Sequence, residues 1–196
     1  MIDSIEHIDF TKRYTYSDYL TWNFRERVEL IKGILYKMSP APRRIHQKVS
    51  IELATMIKNC LKDRRCELYT APFDVRFIKE DQIKDDNIVT VVQPDLCIVC
   101  DQSKLDDAGC LGAPNMIVEI LSPSSAQKDA KEKFQLYEEH GVQEYWMVHI
   151  DEKLIDVFHL ENNKYQLDKI YTASDQIKSA AIQGLIVDVQ EVFQGL

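Results

Sequence analysis

Met116-Ile117-Val118-Glu119-Ile120-Leu121 is a short apolar run broken by a single acid, and a second acid, Asp95, opens the segment Asp95-Leu96-Cys97-Ile98-Val99-Cys100 behind Pro94. Both segments read as β-strands, and the connection between them holds the turn residues Gly109, Gly112 and Pro114. Two carboxylates on neighbouring strands can share one divalent cation. Mg²⁺ prefers carboxylate oxygens and keeps several waters, so two protein acids plus a substrate phosphate is a common way to hold it. The pattern points to phosphodiester chemistry, provided that a cationic side chain reaches the same place.

That side chain is sought in the next segment, Ser124-Ser125-Ala126-Gln127-Lys128-Asp129-Ala130-Lys131-Glu132-Lys133-Phe134-Gln135-Leu136-Tyr137-Glu138-Glu139-His140-Gly141. Ser124 or Ser125 suits a helix N-cap, Gly141 suits a left-handed C-cap, and good helix formers lie between. Ala130, Phe134 and Tyr137 form an apolar stripe to pack on the sheet. Lys133 borders that stripe, so its stem could carry an ammonium back towards Glu119. The competing readings are a surface pair with Asp129, and Lys128 or Lys131 as the donor instead.

Five motifs taken together resemble a known family: Pro94-Asp95; Gly112-Ala113-Pro114; Val118-Glu119-Ile120-Leu121-Ser122-Pro123; Lys133-Phe134-Gln135-Leu136-Tyr137; and Gly141-Val142-Gln143-Glu144-Tyr145-Trp146. Their order and spacing are similar to those of the Uma-type putative restriction endonucleases, part of the PD-(D/E)XK nuclease superfamily. The resemblance runs over about residues 15 to 170. It implies a restriction endonuclease-like fold, an α/β arrangement with a mixed sheet flanked by helices. It also implies a metal-dependent DNA endonuclease that leaves 5′-phosphate and 3′-hydroxyl ends. The superfamily's Glu-x-Lys would put lysine at position 121, where this chain has Leu121. The resemblance implies a lysine migrated to the following helix, and Lys133 is the matching position.

The expected site is therefore Asp95 and Glu119 as ligands of Mg²⁺ or Mn²⁺, with Lys133 orienting or deprotonating the attacking water or stabilising the pentavalent phosphate. A nearby metal and low dielectric would depress the Lys133 pKa. Glu29, in Glu29-Leu30-Ile31-Lys32-Gly33, resembles an acidic position that the family shows upstream of its first helix, and is a fourth candidate. His46 is expected to cap or pack, though it could touch a phosphate or a carboxylate. Gln143, Tyr145 and Trp146 read as structural. The rival function is a nucleic-acid-binding or protein-interaction module that kept the fold and lost turnover, a reading fed by Leu121.

Charge is uneven along the chain. The 196 residues carry 24 Lys+Arg against 32 Asp+Glu, a net charge of −8. Residues 1–65 hold 13 and 8 of these, so the remainder hold 11 and 24. Such asymmetry hints at nucleic-acid contact. Much of the positive charge lies in Arg43-Arg44-Ile45-His46-Gln47-Lys48 and Lys62-Asp63-Arg64-Arg65, at the two ends of one expected helix. That helix could hold phosphates; a solvated surface is the plainer reading. The expected partner is double-stranded DNA, and cutting both strands would call for a homodimer.

The 45% hydrophobic content suits one domain over residues 1–196. No apolar run approaches the roughly 20 residues of a membrane span, and the first residues lack a signal-peptide pattern, so a cytoplasmic protein is expected. Cys97 and Cys100 form a lone C-x-x-C that strand alternation sends to opposite faces, and all five cysteines are expected to be reduced thiols.

Further elements follow from periodicity. Ser17 to Thr21 suggests a short helix, and Val28 to Met38 a strand pair bent at Gly33. Ile45, Val49, Leu53, Ile57 and Leu61 predict a long helix over 43–62. Strands at 73–77 and 88–92 flank a polar hairpin loop, and three strands between 144 and 171 read as an antiparallel meander at a sheet edge. Residues 182–192 are apolar enough for a strand or a short helix.

Overall fold

The computed structural model describes residues 2–38, 42–62, 65–78, 84–121 and 128–196, with side chains in the last range described from residue 131. Two six-stranded sheets form the frame. The first begins with a hairpin, β1 (Val28–Ile31) and β2 (Ile34–Lys37), turned through Lys32 and Gly33 at positive φ of 53° and 82°. It continues through β4 (Val75–Phe77), β5 (Thr90–Val92), β7 (Leu105–Asp106) and β8 (Gly109–Leu111), in the order β2-β1-β5-β4-β8-β7. β4 and β5 pair antiparallel, as the expected hairpin requires.

The second sheet has the order β12-β11-β10-β9-β6-β3, built from β3 (Glu67–Thr70), β6 (Leu96–Val99), β9 (Met116–Leu121), β10 (Glu144–His149), β11 (Leu154–Glu161) and β12 (Lys164–Tyr171). Its last three strands are the antiparallel meander, with a bulge between Val157 and Phe158. β9 and β10 run parallel and are joined through α3 (Lys128–Glu139). Such a crossover is what a parallel pair needs. α3 ends as expected: Gly141 has φ of +80°, and the Val142 N–H reaches the Tyr137 carbonyl at 3.0 Å, a span one residue longer than a helical bond. The expected caps Ser124 and Ser125 lie outside the described residues.

β9 is buried through Ile120, which explains its nearly unbroken apolar character. Its residues alternate between two cores. Met116, Val118 and Ile120 face one core with Leu96, Ile98, Trp146 and Val148. The long helix α2 (Arg44–Cys60) covers that core with Val49, Leu53 and Ile57, all 0% exposed, beside the tail strands β13 (Gln176–Lys178) and β14 (Ile186–Asp188) and helix α4 (Val189–Val192). Ile117 faces the other core, with Cys97, Val99, Tyr145, the α3 residues Leu136 and Tyr137, and Val75, Phe77 and Val92 from the first sheet. Cys97 and Cys100 thus pack on opposite sides. A third core joins Ile5, Ile8 and Tyr16 to β1 and β5, where helix α1 (Tyr16–Tyr19) starts from Thr15 in a capping box with Asp18.

Three readings of the sequence change. The expectation of one sheet gives way to two, because β5 pairs with β1 and β4 while the chain after Pro94 pairs with β9. The tail contains both a strand and a helix turn. Cys66 and Cys100 are joined as a disulfide, against the expectation of reduced thiols, while Cys60, Cys97 and Cys110 remain free. The cause is register: β3 runs antiparallel to β6 with Glu67 opposite Val99, which sets Cys66 opposite Cys100 one position further on.

Candidate active site

The chain passes from the first sheet to the second through Gln93-Pro94-Asp95, and the candidate residues gather at that crossing. β6 pairs antiparallel with β9, Leu96 opposite Val118. Asp95 therefore stands one position beyond the ladder, on the level of Glu119. The Asp95 carboxylate bends across to accept the Ile120 N–H on Oδ2 at 2.8 Å. The same oxygen lies 3.3 Å from Nε2 of His46, in the first turn of α2.

Glu119, 7% exposed, points to the α3 side of the sheet. Two α3 residues one helical turn apart meet its Oε1: Lys133 donates from Nζ at 2.9 Å and Tyr137 from its hydroxyl at 2.6 Å. The Lys133 ammonium also lies 3.0 Å from Oε1 of Glu29, on β1 of the other sheet. Glu29 in turn accepts the Gln93 N–H at 2.8 Å. One ammonium thus ties the two sheets together, and the structure brings Glu29, Glu119 and Lys133 into direct contact. The surface-pair reading of Lys133 does not survive: its side chain is 12% exposed, whereas Lys131 is exposed. The side chains of Lys128 and Asp129 lie outside the described residues.

The electrostatics follow from burial and crowding. Desolvation pushes the Glu119 carboxyl up to about 7; Lys133 pulls it back down, and Asp95 and Glu29 push it further up. For Lys133 burial alone would favour the neutral amine, but Glu119 and Glu29 outweigh it and hold the pKa above the ordinary lysine value. Tyr137 is held well above its usual range, by burial first and by the two acids second. Burial opposes charge on His46, yet its hydrogen bond to Asp95 leaves the imidazole pKa raised.

Three residues in this network were not assigned a part in the chemistry from sequence. Tyr137 reads as stripe, and its hydroxyl contact depends on α3 lying against β9. Gln93 has only its place before Pro94-Asp95 to mark it. Its side chain accepts from Arg27 at 2.7 Å and donates to Asp74 at 2.8 Å. Asp74 is itself raised by burial, with the Gln93 hydrogen bond working against that rise. His46, expected to cap or pack, stands instead on Asp95. The basic start of α2 is more occupied than its sequence suggests: Lys48 donates to the carbonyls of Gln194 and Gly195 at 2.8 and 3.1 Å, and Arg43 lies 3.9 Å from Asp151.

The donor set suits a hard divalent cation. Glu29 and Glu119 share the Lys133 ammonium, and Asp95 stands close enough to Glu119 to push its pKa up, so three acids crowd a partly desolvated place. Among the described residues no group of three or more His, Cys, Asp and Glu side chains is already gathered to hold a metal. Two carboxylates with water and a substrate phosphate suffice for Mg²⁺.

Comparison with known proteins agrees with the resemblance read from sequence. A family model described as "Uma2: Putative restriction endonuclease" matches residues 16–190. A Synechocystis protein (strain ATCC 27184 / PCC 6803 / Kazusa) named "Uncharacterized protein slr1290" is 28% identical over 182 residues, covering 91% of this chain and 90% of that protein. The crystal structure of a putative nuclease belonging to DUF820 from Anabaena variabilis ATCC 29413 superposes with a TM-score of 0.68 at 18% identity, over 92% of this chain and 97% of that one. The fold is restriction endonuclease-like. Among the described residues no helix is long and apolar enough to cross a membrane.

Proposed function

Because the chain belongs to the Uma2 restriction endonuclease family, and is thereby a nuclease of restriction endonuclease type, we propose that it is a Mg²⁺- or Mn²⁺-dependent hydrolase of double-stranded DNA whose site is formed by Asp95, Glu119, Lys133 and Glu29. The observation that carries this reading is the Lys133 ammonium at 2.9 Å from Glu119 and 3.0 Å from Glu29. It supports a lysine supplied by α3 in a chain that has Leu121 where the superfamily has lysine.

Asp95 and Glu119 would hold the cation, which when bound supplies positive charge at the scissile phosphate and acidifies water there. The residues themselves do the rest. Lys133 lies between two acids, a pairing that supports charge stabilisation among its candidate roles. Its two carboxylate contacts hold the ammonium in place before substrate arrives. Glu29 anchors it from the first sheet and is itself fixed by the Gln93 N–H. In-line attack on phosphorus would leave 5′-phosphate and 3′-hydroxyl ends. Residues 1–196 act as one domain in this reading, since strands of both sheets supply the site, and cleavage of both strands calls for a homodimer acting on cytoplasmic DNA.

Nicking of supercoiled plasmid with Mg²⁺ and Mn²⁺ tests the proposal. Metal-dependent nicking is expected from the wild type and its loss from both Asp95→Ala and Lys133→Ala. Loss in Asp95→Ala alone would return the lysine role to Lys131 or Lys128. A wild type that neither nicks plasmid, single-stranded or branched DNA nor binds Mn²⁺ in calorimetry would leave the binding-module reading that Leu121 favours. Light scattering during size-exclusion chromatography on DNA reads the dimer directly, and a clean monomer counts against it.

A further inference from the structure

We infer that His46 is a positioning residue for Asp95, a hydrogen-bonding partner behind the metal ligand that fixes the orientation of its carboxylate. The inference rests on the reading of Asp95 as a cation ligand and adds a residue to that site from a separate element, α2.

The inward positions of α2 are Ile45, Val49, Leu53 and Ile57, an apolar stripe against the second sheet. His46 sits beside that stripe with a side chain only 12% exposed, and its Nε2 is 3.3 Å from Asp95 Oδ2. Its Nδ1 is buried and has no hydrogen-bond partner among the described residues. A buried polar atom without a partner is unfavourable by about 1–3 kcal/mol. A position serving packing alone would be better filled by another aliphatic residue. What sets the histidine apart from one is the bond from its other nitrogen to Asp95.

That bond acts where the carboxylate most needs it. Asp95 lies outside the hydrogen-bonded ladder of β6 and β9 and turns at the crossing between sheets. The Ile120 N–H at 2.8 Å restrains Oδ2 from the β9 side, and His46 restrains the same oxygen from the α2 side. Two contacts on one oxygen restrain the carboxylate and leave Oδ1 for the cation that Asp95 would hold. Partners of this kind, one bond behind a ligand, typically change metal affinity by roughly 10–100-fold when removed, because the ligand must then be ordered on binding. His46 also makes α2, with the exposed Arg43 and Arg44 at its start, mechanically continuous with the ligand.

Calorimetric titration of the full chain with Mn²⁺ tests the inference, using wild type, Asp95→Ala, His46→Ala and His46→Gln, each checked for its thermal transition. Gln places an amide donor near the Nε2 position and keeps the fold. His46→Ala is expected to weaken Mn²⁺ binding by roughly 10–100-fold, and His46→Gln to restore it to within about 3-fold of wild type. Mn²⁺ affinity in His46→Ala equal to wild type, with Asp95→Ala impaired, would overturn the inference alone. So would His46→Gln binding as weakly as His46→Ala. Asp95→Ala binding as tightly as wild type would overturn the metal reading itself and this inference with it.

Discussion

Glu119 and Glu144 stand on adjacent parallel strands, both buried, and face opposite sides of one sheet. Glu144, 0% exposed, is satisfied almost entirely by neutral donors: Trp146 Nε1 at 2.6 Å on one oxygen, and the Ser179 hydroxyl and the N–H groups of Ala180 and Ala181, each at 2.8 Å, on the other. These donors lie on β10 and on the segment between the tail strands β13 and β14, so the acid staples the tail to the sheet. Glu119 has an ammonium, a phenol and two further acids around it instead. Burial alone does not mark a functional carboxylate. What separates the two is whether the surroundings settle the charge with fixed dipoles or leave it contested among groups that can exchange partners.

Substitution should separate the two acids sharply. Glu119→Gln is expected to cut metal-dependent nicking by about 10³-fold, equivalent to roughly 4 kcal/mol of barrier. Its unfolding free energy in urea near pH 4.5, where the buried Glu119 carboxyl is also neutral, should move by about 1 kcal/mol or less. Glu144→Ala should do the reverse: a loss of about 3 kcal/mol in the urea midpoint analysis, from four stranded donors, with Mn²⁺ affinity intact in the protein that remains folded. Equal effects of both changes on stability would break the comparison.

The two sites also predict a pH dependence. In metal-free buffer the Glu119 carboxyl of the folded protein, raised from 4.5 to about 7 by burial, holds its proton more tightly than in the unfolded chain. The folded state therefore binds more protons between those values, and the Glu119 contribution to stability falls as pH rises through that window. Glu119→Gln removes this slope, so the difference between wild-type and variant unfolding curves should shift in the variant's favour from about pH 4.5 to 7. A pH-independent difference would show that Lys133 neutralises Glu119 fully. The smallest effect is expected from Ser179→Ala, which removes one donor to Glu144 and the cap it offers the Ile182 N–H at 2.9 Å. It should lower stability by about 1 kcal/mol and leave nicking untouched.

Glu119 was readable in the sequence because a lone acid in an apolar strand is conspicuous. Glu144 was not, because it opens a strand after a turn and resembles any edge acid; its donors arrive from residues 179–181, which have no periodic signature. The helix periods of α2 and α3 and the alternation of the meander carried the secondary structure. Partition into two sheets did not show, since nothing in Gln93-Pro94-Asp95 tells whether the next strand pairs with the previous one. Helical spacing already set Lys133 beside the apolar stripe of α3, with Lys128 and Lys131 as rivals, and the family resemblance pointed to the same residue; the packing of α3 against β9 buries Lys133 and leaves Lys131 exposed. The bridge between Cys66 and Cys100 was hidden for a similar reason, because β3 carries no strong strand pattern of its own.

The β9-α3-β10 crossover also bears on the order in which the site assembles. Glu119 and Lys133 are 14 residues apart in the chain, whereas Glu29 and Lys133 are separated by 104. Bringing the nearer pair together costs about 2 kcal/mol less in chain entropy than bringing in the distant one. One crossover thus carries a carboxylate and its cation at the smaller cost in chain entropy, and the first sheet adds its acid at the larger one.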